Sequence, residues 1–214
     1  MGNNYFEKLK SSVRGKVAIF IDAANLEQSV RKMWVNPKDI PDNLKNLTTS
    51  ELRWSVDYKK VKDFFESIGK VQSIRFYSAN FGSENHFGFL FFLRKGLKFI
   101  LNTKPLKCYS DDTDDNHHRK ANFDVEIATD AMFYMNKYDT FILFSGDCDF
   151  EYLLKFLRGH GKITIVFSRS GNVAKELPPA CHQYFDIIDF RAEILKVAQK
   201  AKNPAPDTGT GPRN

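Results

Sequence analysis

Three groups of acidic residues have the types and spacing to do chemistry. Asp22 ends an apolar run and is followed by Asn25 three residues later. Asp124 is followed by Asp130 six residues on, and Asp147 and Asp149 sit together in Ser145-Gly-Asp-Cys-Asp149. Hard divalent cations such as Mg2+ or Mn2+ prefer carboxylate oxygens and keep some of their waters. Phosphodiester hydrolysis needs an activated water and a stabilised leaving oxygen, and cations held by several carboxylates supply both. Several carboxylates brought together without a cation would repel one another, so convergence of these side chains would itself call for one. Each Asp alone also has a plainer reading as a helix N-cap or turn residue. Asp147 and Asp149, standing before a helical segment, fit that reading as well. Asp130 lies about 240° around a helix from Asp124, which reads as a solvent face shared with Glu126.

The elements that must position these residues alternate between strand and helix. Val17 to Ile21 is apolar throughout, as suits a buried parallel strand. Residues 24–34 read as a helix, and 35–56, with Pro37, Pro41, Asn43 and a Thr-Thr-Ser cluster, as an irregular insertion. Residues 57–68 read as a helix stopped by Gly69, and 71–78 as a strand. The Phe-rich run Phe87–Leu93 is expected in the core, with a homodimer interface as second reading. Strand character at 98–101 and 105–109 precedes a polar loop at 110–119, then a helix over 122–136. Strands follow at 139–144, 162–167 and 184–188, helices at 150–158 and 173–182, and a last helix at 190–200. This alternation predicts an α/β fold with a mainly parallel sheet and helices on both faces, its site at the carboxyl ends of the strands.

The 214 residues are 42% hydrophobic, enough for one core. A net charge of +6 and a pI near 9.1 are compatible with a polyanionic partner. Three widely spaced cysteines, with no CxxC pair, argue against a disulfide framework or structural zinc and suit a reducing cytoplasm. No apolar run approaches the ~20 residues of a membrane span, so no membrane partner is expected. The domain expectation is an N-terminal arm at 1–15, one domain at 16–200 carrying the 35–56 insertion, and a disordered Pro/Gly/Thr-rich tail at 201–214.

Three motifs in order resemble the NYN domains, the LabA-like branch of the PIN-like nucleases. These are Val17-Ala-Ile-Phe-Ile-Asp-Ala-Ala-Asn25, Lys120-Ala-Asn-Phe-Asp-Val-Glu-Ile-Ala-Thr-Asp130 and Ser145-Gly-Asp-Cys-Asp-Phe150. The resemblance spans roughly residues 16–190. It implies a PIN-like Rossmannoid three-layer sandwich and metal-dependent phosphodiester cleavage, usually of RNA. By the same resemblance Asp22, Asp124 and Asp147 match the metal-binding acids, and Asp149 an additional one. Asn25 matches a residue that supports the first Asp or contacts substrate, and Asp130 a recurring acid of less defined role. The implied cofactor is Mg2+ or Mn2+, and the implied partner is single-stranded or structured RNA. Cys148 stands where Ser is usual. The segment 35–56 and the acidic stretch Asp111–Asp115 look like additions that bear on substrate access.

Further substrate contacts are expected at Asn25, Lys120, Ser145 and Arg169. Lys120 precedes Asp124 by four residues, so on a continuous helix the two would share a face. Arg169 follows a strand and belongs to the expected cleft rim. Phe81 or His86 would suit base stacking, with ordinary packing the preferred reading. His117 and His118 read as solvated loop residues, for want of zinc spacing. Cys148, flanked by acids, is a poor nucleophile. Asp22-Ala-Ala excludes a phosphatase needing Asp-x-Asp at this strand, and no GxGxxG follows it for a dinucleotide. The alternative to a nuclease is a non-catalytic RNA- or protein-binding module of the same shape.

Overall fold

The computed structural model describes residues 2–105, 107–109 and 118–200; the side chains of residues 2–3, 107–109 and 118–120 lie outside that description. The expected tail at 201–214, the acidic stretch Asp111–Asp115, His117 and the side chains of His118 and Lys120 therefore fall outside it.

In chain order the elements are α1 (Gly2–Ser12), β1 (Lys16–Asp22), α2 (Ala23–Arg31), β2 (Leu52–Val56), α3 (Tyr58–Ile68) and β3 (Lys70–Asn80). They continue with α4 (Glu84–Phe91), β4 (Ile100–Pro105), β5 (Lys107–Tyr109), β6 (His118–Lys120) and α5 (Asp124–Phe133). The rest are β7 (Thr140–Phe144), α6 (Glu151–Gly159), β8 (Ile163–Ser168), α7 (Leu177–Ala180), β9 (Gln183–Asp186), α8 (Arg191–Ile194) and β10 (Leu195–Gln199).

Six strands form one parallel sheet in the order β4-β3-β1-β7-β8-β9. The chain runs outward from β1 through β3 to β4, then returns to β7 on the other flank. Counted within this sheet alone, the order is 3-2-1-4-5-6, the doubly wound arrangement, and the reversal falls between β1 and β7. A crevice must open there at the carboxyl ends, because the following connections leave toward opposite faces.

The apolar runs explain why these strands are interior. In β1, Val17, Ile19 and Ile21 pack into one core layer, while Ala18 and Phe20 pack into the other. β7 divides likewise, with Ile142 and Phe144 on one side and Phe141 and Leu143 on the other. Such two-sided burial is what a continuous apolar run encodes. Helix α3 turns Val61, Phe64, Phe65 and Ile68 to the first layer, where Phe65 meets Phe144 and Phe167 edge-on. Helices α5, α6 and α7 cover the second layer through Ile127, Leu154, Leu157 and Leu177. Helix α1 docks on the first layer through fully buried Leu9 and through Phe6 against Phe64.

Four expectations change. Residues 195–199 are a strand and not the end of a helix: β10 pairs antiparallel with β2 in a two-stranded ribbon. The pairing overrides the helix propensity of Leu195, Lys196, Ala198 and Gln199. The segment 35–56 is less irregular than its Pro and Asn content implies, since three 3-10 turns lead into the alternating strand β2. The Phe-rich run is core on one side only: Leu90 and Leu93 are buried, whereas Phe87, Phe91 and Phe92 are exposed. Finally, Lys120 ends strand β6 and α5 begins at Asp124, so the two do not share a helix.

Candidate active site

The carboxyl ends of β1 and β7 and the start of α5 bring Asp22, Asp147 and Asp124 to one cavity of about 950 Å3. That volume is at the upper end of ordinary ligand pockets. Each acid arrives by a local device. Asp22 is the last residue of β1 and the N-cap of α2, with its Oδ1 accepting from Asn25 N at 3.3 Å. Asp124 opens α5, and its N–H donates to Asn122 Oδ1 at 2.9 Å. Asp147 caps the 3-10 turn after β7, accepting from Asp149 N at 3.3 Å. The cap reading and the ligand reading are compatible, because a carboxylate has about four lone-pair sites.

Around Asp22 the polar groups are joined. Ser145 Oγ donates to Asp22 Oδ2 at 3.2 Å and is an acceptor for Asp147 N at 3.3 Å. Asn25 Oδ1 accepts from Gly146 N at 2.9 Å, which pins the β7 turn to the start of α2. Gly146 is obligatory there: a Cβ would stand 2.5 Å from Ser168 Oγ and 2.6 Å from Asn172 O. Ser145 and Asn25 thus shape the acidic end, as their types allow.

The electrostatics favour a cation. Burial pushes the Asp22 carboxyl above its usual range. The two hydrogen bonds pull it back, and the negative charges of Asp124 and Asp147 push it up again. A half-buried carboxylate facing two more carboxylates is a site that a divalent cation would relieve. The donors are all hard oxygens, so the set fits Mg2+ or Mn2+ and not a thiophilic metal.

Asp149 is placed differently. It is exposed and does not line the cavity, although its carboxylate, that of Asp147 and the Cys148 sulfur lie within 4.8 Å of one another. The Cys148 thiol is held above its ordinary range, first by desolvation and then by the charges of Asp147 and Asp149. Arg169 follows β8 half-buried, away from the cavity lining, and its carbonyl accepts from Asn172 and Val173 in a turn. Asp130 does not join the other acids. It accepts from Tyr77 Oη at 2.8 Å, Arg75 Nη1 at 3.1 Å and Asn102 Nδ2 at 3.3 Å. Nor does it share a solvent face with Glu126, which pairs with Lys104.

The cavity extends beyond its acidic end. Its lining includes Arg31, Arg53, Ser55, Lys196, Phe81 and His86, and the ribbon residues among them went unnoticed in the sequence. The period-2 alternation of Leu52, Trp54 and Val56 was the available signal.

A doubly wound sheet with three acids at its carboxyl-end crevice defines a PIN-like α/β protein. Within that class the chain belongs to the NYN domain family, whose pattern matches residues 16–189. It is 31% identical over 156 residues to the "Low amplitude and bright protein LabA" of Synechococcus elongatus, covering 72% of this chain and 81% of that one. The crystal structure of a Vibrio parahaemolyticus protein of unknown function has the same fold. It superposes with a TM-score of 0.63 at 22% identity, over 85% of this chain and 96% of that one. Among the described residues no helix is long and apolar enough to cross a membrane.

Proposed function

We propose that the chain is a divalent-cation-dependent nuclease that cuts RNA. The observation that carries this reading is the meeting of Asp22, Asp124 and Asp147 in one cavity, with Asp22 pushed up by burial and by its two acidic neighbours. Those three residues would hold Mg2+ or Mn2+. When bound, such a cation supplies a water acidic enough to attack at neutral pH and charge to stabilise the leaving oxygen. The protein's own part is positional. Ser145 orients the Asp22 carboxylate, Asn25 fixes the Gly146 turn, and Asp147 N is held by Ser145. Asp149 lends negative charge beside Asp147 from the solvent side. Lys120, two residues before Asn122 in the sequence, is the cation that the motif itself supplies for the scissile phosphate. Free thiols at Cys148 and Cys181 fit a reducing cytoplasm.

The test is cleavage of labelled single-stranded RNA, structured RNA and DNA with Mn2+, Mg2+ or EDTA. The control is Asp22→Asn combined with Asp147→Asn. Cation-dependent RNA cutting that vanishes in the control supports the reading. Cation binding by wild type without any cutting would replace it with a binding module.

A further inference from the structure

The ribbon is the part of the cleft that the acids leave unexplained. β2 buries Leu52, Trp54 and Val56, so Arg53 and Ser55 share its opposite face. Lys196 of β10 stands directly across from Ser55 and therefore shares that face too. Arg31, at the end of α2, adds a third cation, and all four residues line the cavity. On its inner side the ribbon is tied to the segment after α2, where Trp54 Nε1 donates to Trp34 O at 3.1 Å.

These cations are not used up by the fold. The Arg53 side chain makes no ion pair or hydrogen bond among the described residues, and its buried Nε has no partner. Lys196 lies 3.9 Å from Asp57, the outer limit of a contact. Only Arg31 is firmly engaged, with Glu27 at 3.2 Å. An arginine side chain without a partner, beside a lysine on a paired two-stranded wall, is a device for recognising phosphate. Elsewhere on the same cavity Phe81 is 60% exposed, its ring 4.8 Å from that of His86. His86 is half-buried and bonded to Ala79 O at 3.0 Å, so Phe81 offers the free face, and such a face serves a base only when that base is unstacked.

We infer that the β2/β10 wall binds the backbone of a single nucleic-acid strand through Arg53 and Lys196, while the exposed ring of Phe81, held edge-to-face by His86, stacks one of its bases. This rests on the proposed function and extends it. The wall holds phosphates that are not being cut, blind to sequence, and offsets the repulsion of the acidic end.

The experiment uses the full chain carrying Asp22→Asn, so that the strand stays whole. The probe is a fluorescein-labelled 12-nucleotide oligouridylate, read by fluorescence anisotropy in Mg2+ between 50 and 200 mM KCl. Adding Arg53→Gln and Lys196→Gln is expected to weaken binding about tenfold or more. It should also flatten the salt dependence by about 0.7 in log-log slope per lost contact. Lys59→Gln with Lys155→Gln removes the same charge from exposed helix pairs and should change little. Arg53→Lys, which keeps the charge, should retain most of the affinity even if Arg53→Gln perturbs the ribbon. Equal losses in the ribbon variant and the helix control would overturn the inference. So would no binding by the parent, or competition by uridine monophosphate or a 12-base-pair duplex as strong as by the strand. Ribbon-dependent binding without wild-type cleavage would leave the wall standing and remove the nuclease reading. Wild-type cleavage that is indifferent to the ribbon would do the reverse.

Discussion

The sheet carries two carboxylate sites, and they are built in opposite ways. Around Asp130 every neighbour is a donor: Arg75, Tyr77 and Asn102 converge on one oxygen, and Arg75 also stacks 3.9 Å from the Tyr134 ring. Burial and the hydrogen bond to Asp130 push the Tyr77 phenol far above its ordinary range, so it remains a donor. Around Asp22 two donors face two further carboxylates, and burial disfavours the charge. At the first site the carboxylate is fully engaged, although Arg75 Nε is left without a partner, and the ion pair ties α5 to β3. The second sets a half-buried carboxylate against the charges of two others, an arrangement that the proposed cation would relieve. An acid in a family motif therefore has to be judged by what surrounds it, and Asp130 and Asp124 share a motif while standing in different surroundings.

The comparison is broken most directly by activity. Asp147→Asn should lower cleavage on the order of 10^3-fold, as measured by single-turnover kinetics, while leaving the melting temperature unchanged or higher. Equal destabilisation and inactivation would mean that the acidic end is structural after all. Asp130→Ala should act in the other direction. It leaves Arg75, whose side chain is 8% exposed, without its partner. The expected cost is ~3 kcal/mol, or roughly 10 °C in melting for a chain of this size. Urea denaturation with an unaltered midpoint would refute the structural role.

Asp22→Asn sharpens the contrast, because it should abolish cutting yet raise stability in EDTA by on the order of a few degrees. The amide can still cap α2 and can donate to Ser145. The sign follows from linkage. The folded carboxyl is raised above its unfolded value, so the native state binds that proton more readily and loses stability as pH rises through the folded pKa. The gain from Asp22→Asn should be greatest near neutrality and shrink on acidification, which thermal melts over a pH series would show. A gain that grew toward acid pH would be the wrong sign. The smallest effect is expected at Cys148, where Ser should leave cleavage within about twofold, since its thiol is held protonated by its surroundings.

How much of this was legible depended on whether a residue's place is set locally. Asp22 and Asp147 follow continuous apolar strands, so their position at the carboxyl ends can be read from the run and its stop. Asn25 and Ser145 come with them. Asp130 was not legible: its partners Arg75, Tyr77 and Asn102 come from β3 and β4, and no local pattern announces that meeting. The ribbon was hidden for two reasons. Residues 195–199 prefer helix in isolation, and β2 follows a stretch crowded with turn residues. Each strand is stabilised by the other, which lies roughly 140 residues away in the chain, and such pairing is invisible to local propensity.

That long separation also fixes an order of events during synthesis. β1, α2 and β2 leave the ribosome early, but the strand that completes the cleft wall is translated after everything else in the domain. At roughly 5–20 residues per second, the interval between β2 and β10 lasts about seven to thirty seconds. Throughout it Arg53 has no paired strand to hold it in place and β2 has an open edge. Until β10 is made, the cavity that holds Asp22, Asp124 and Asp147 lacks one of its walls.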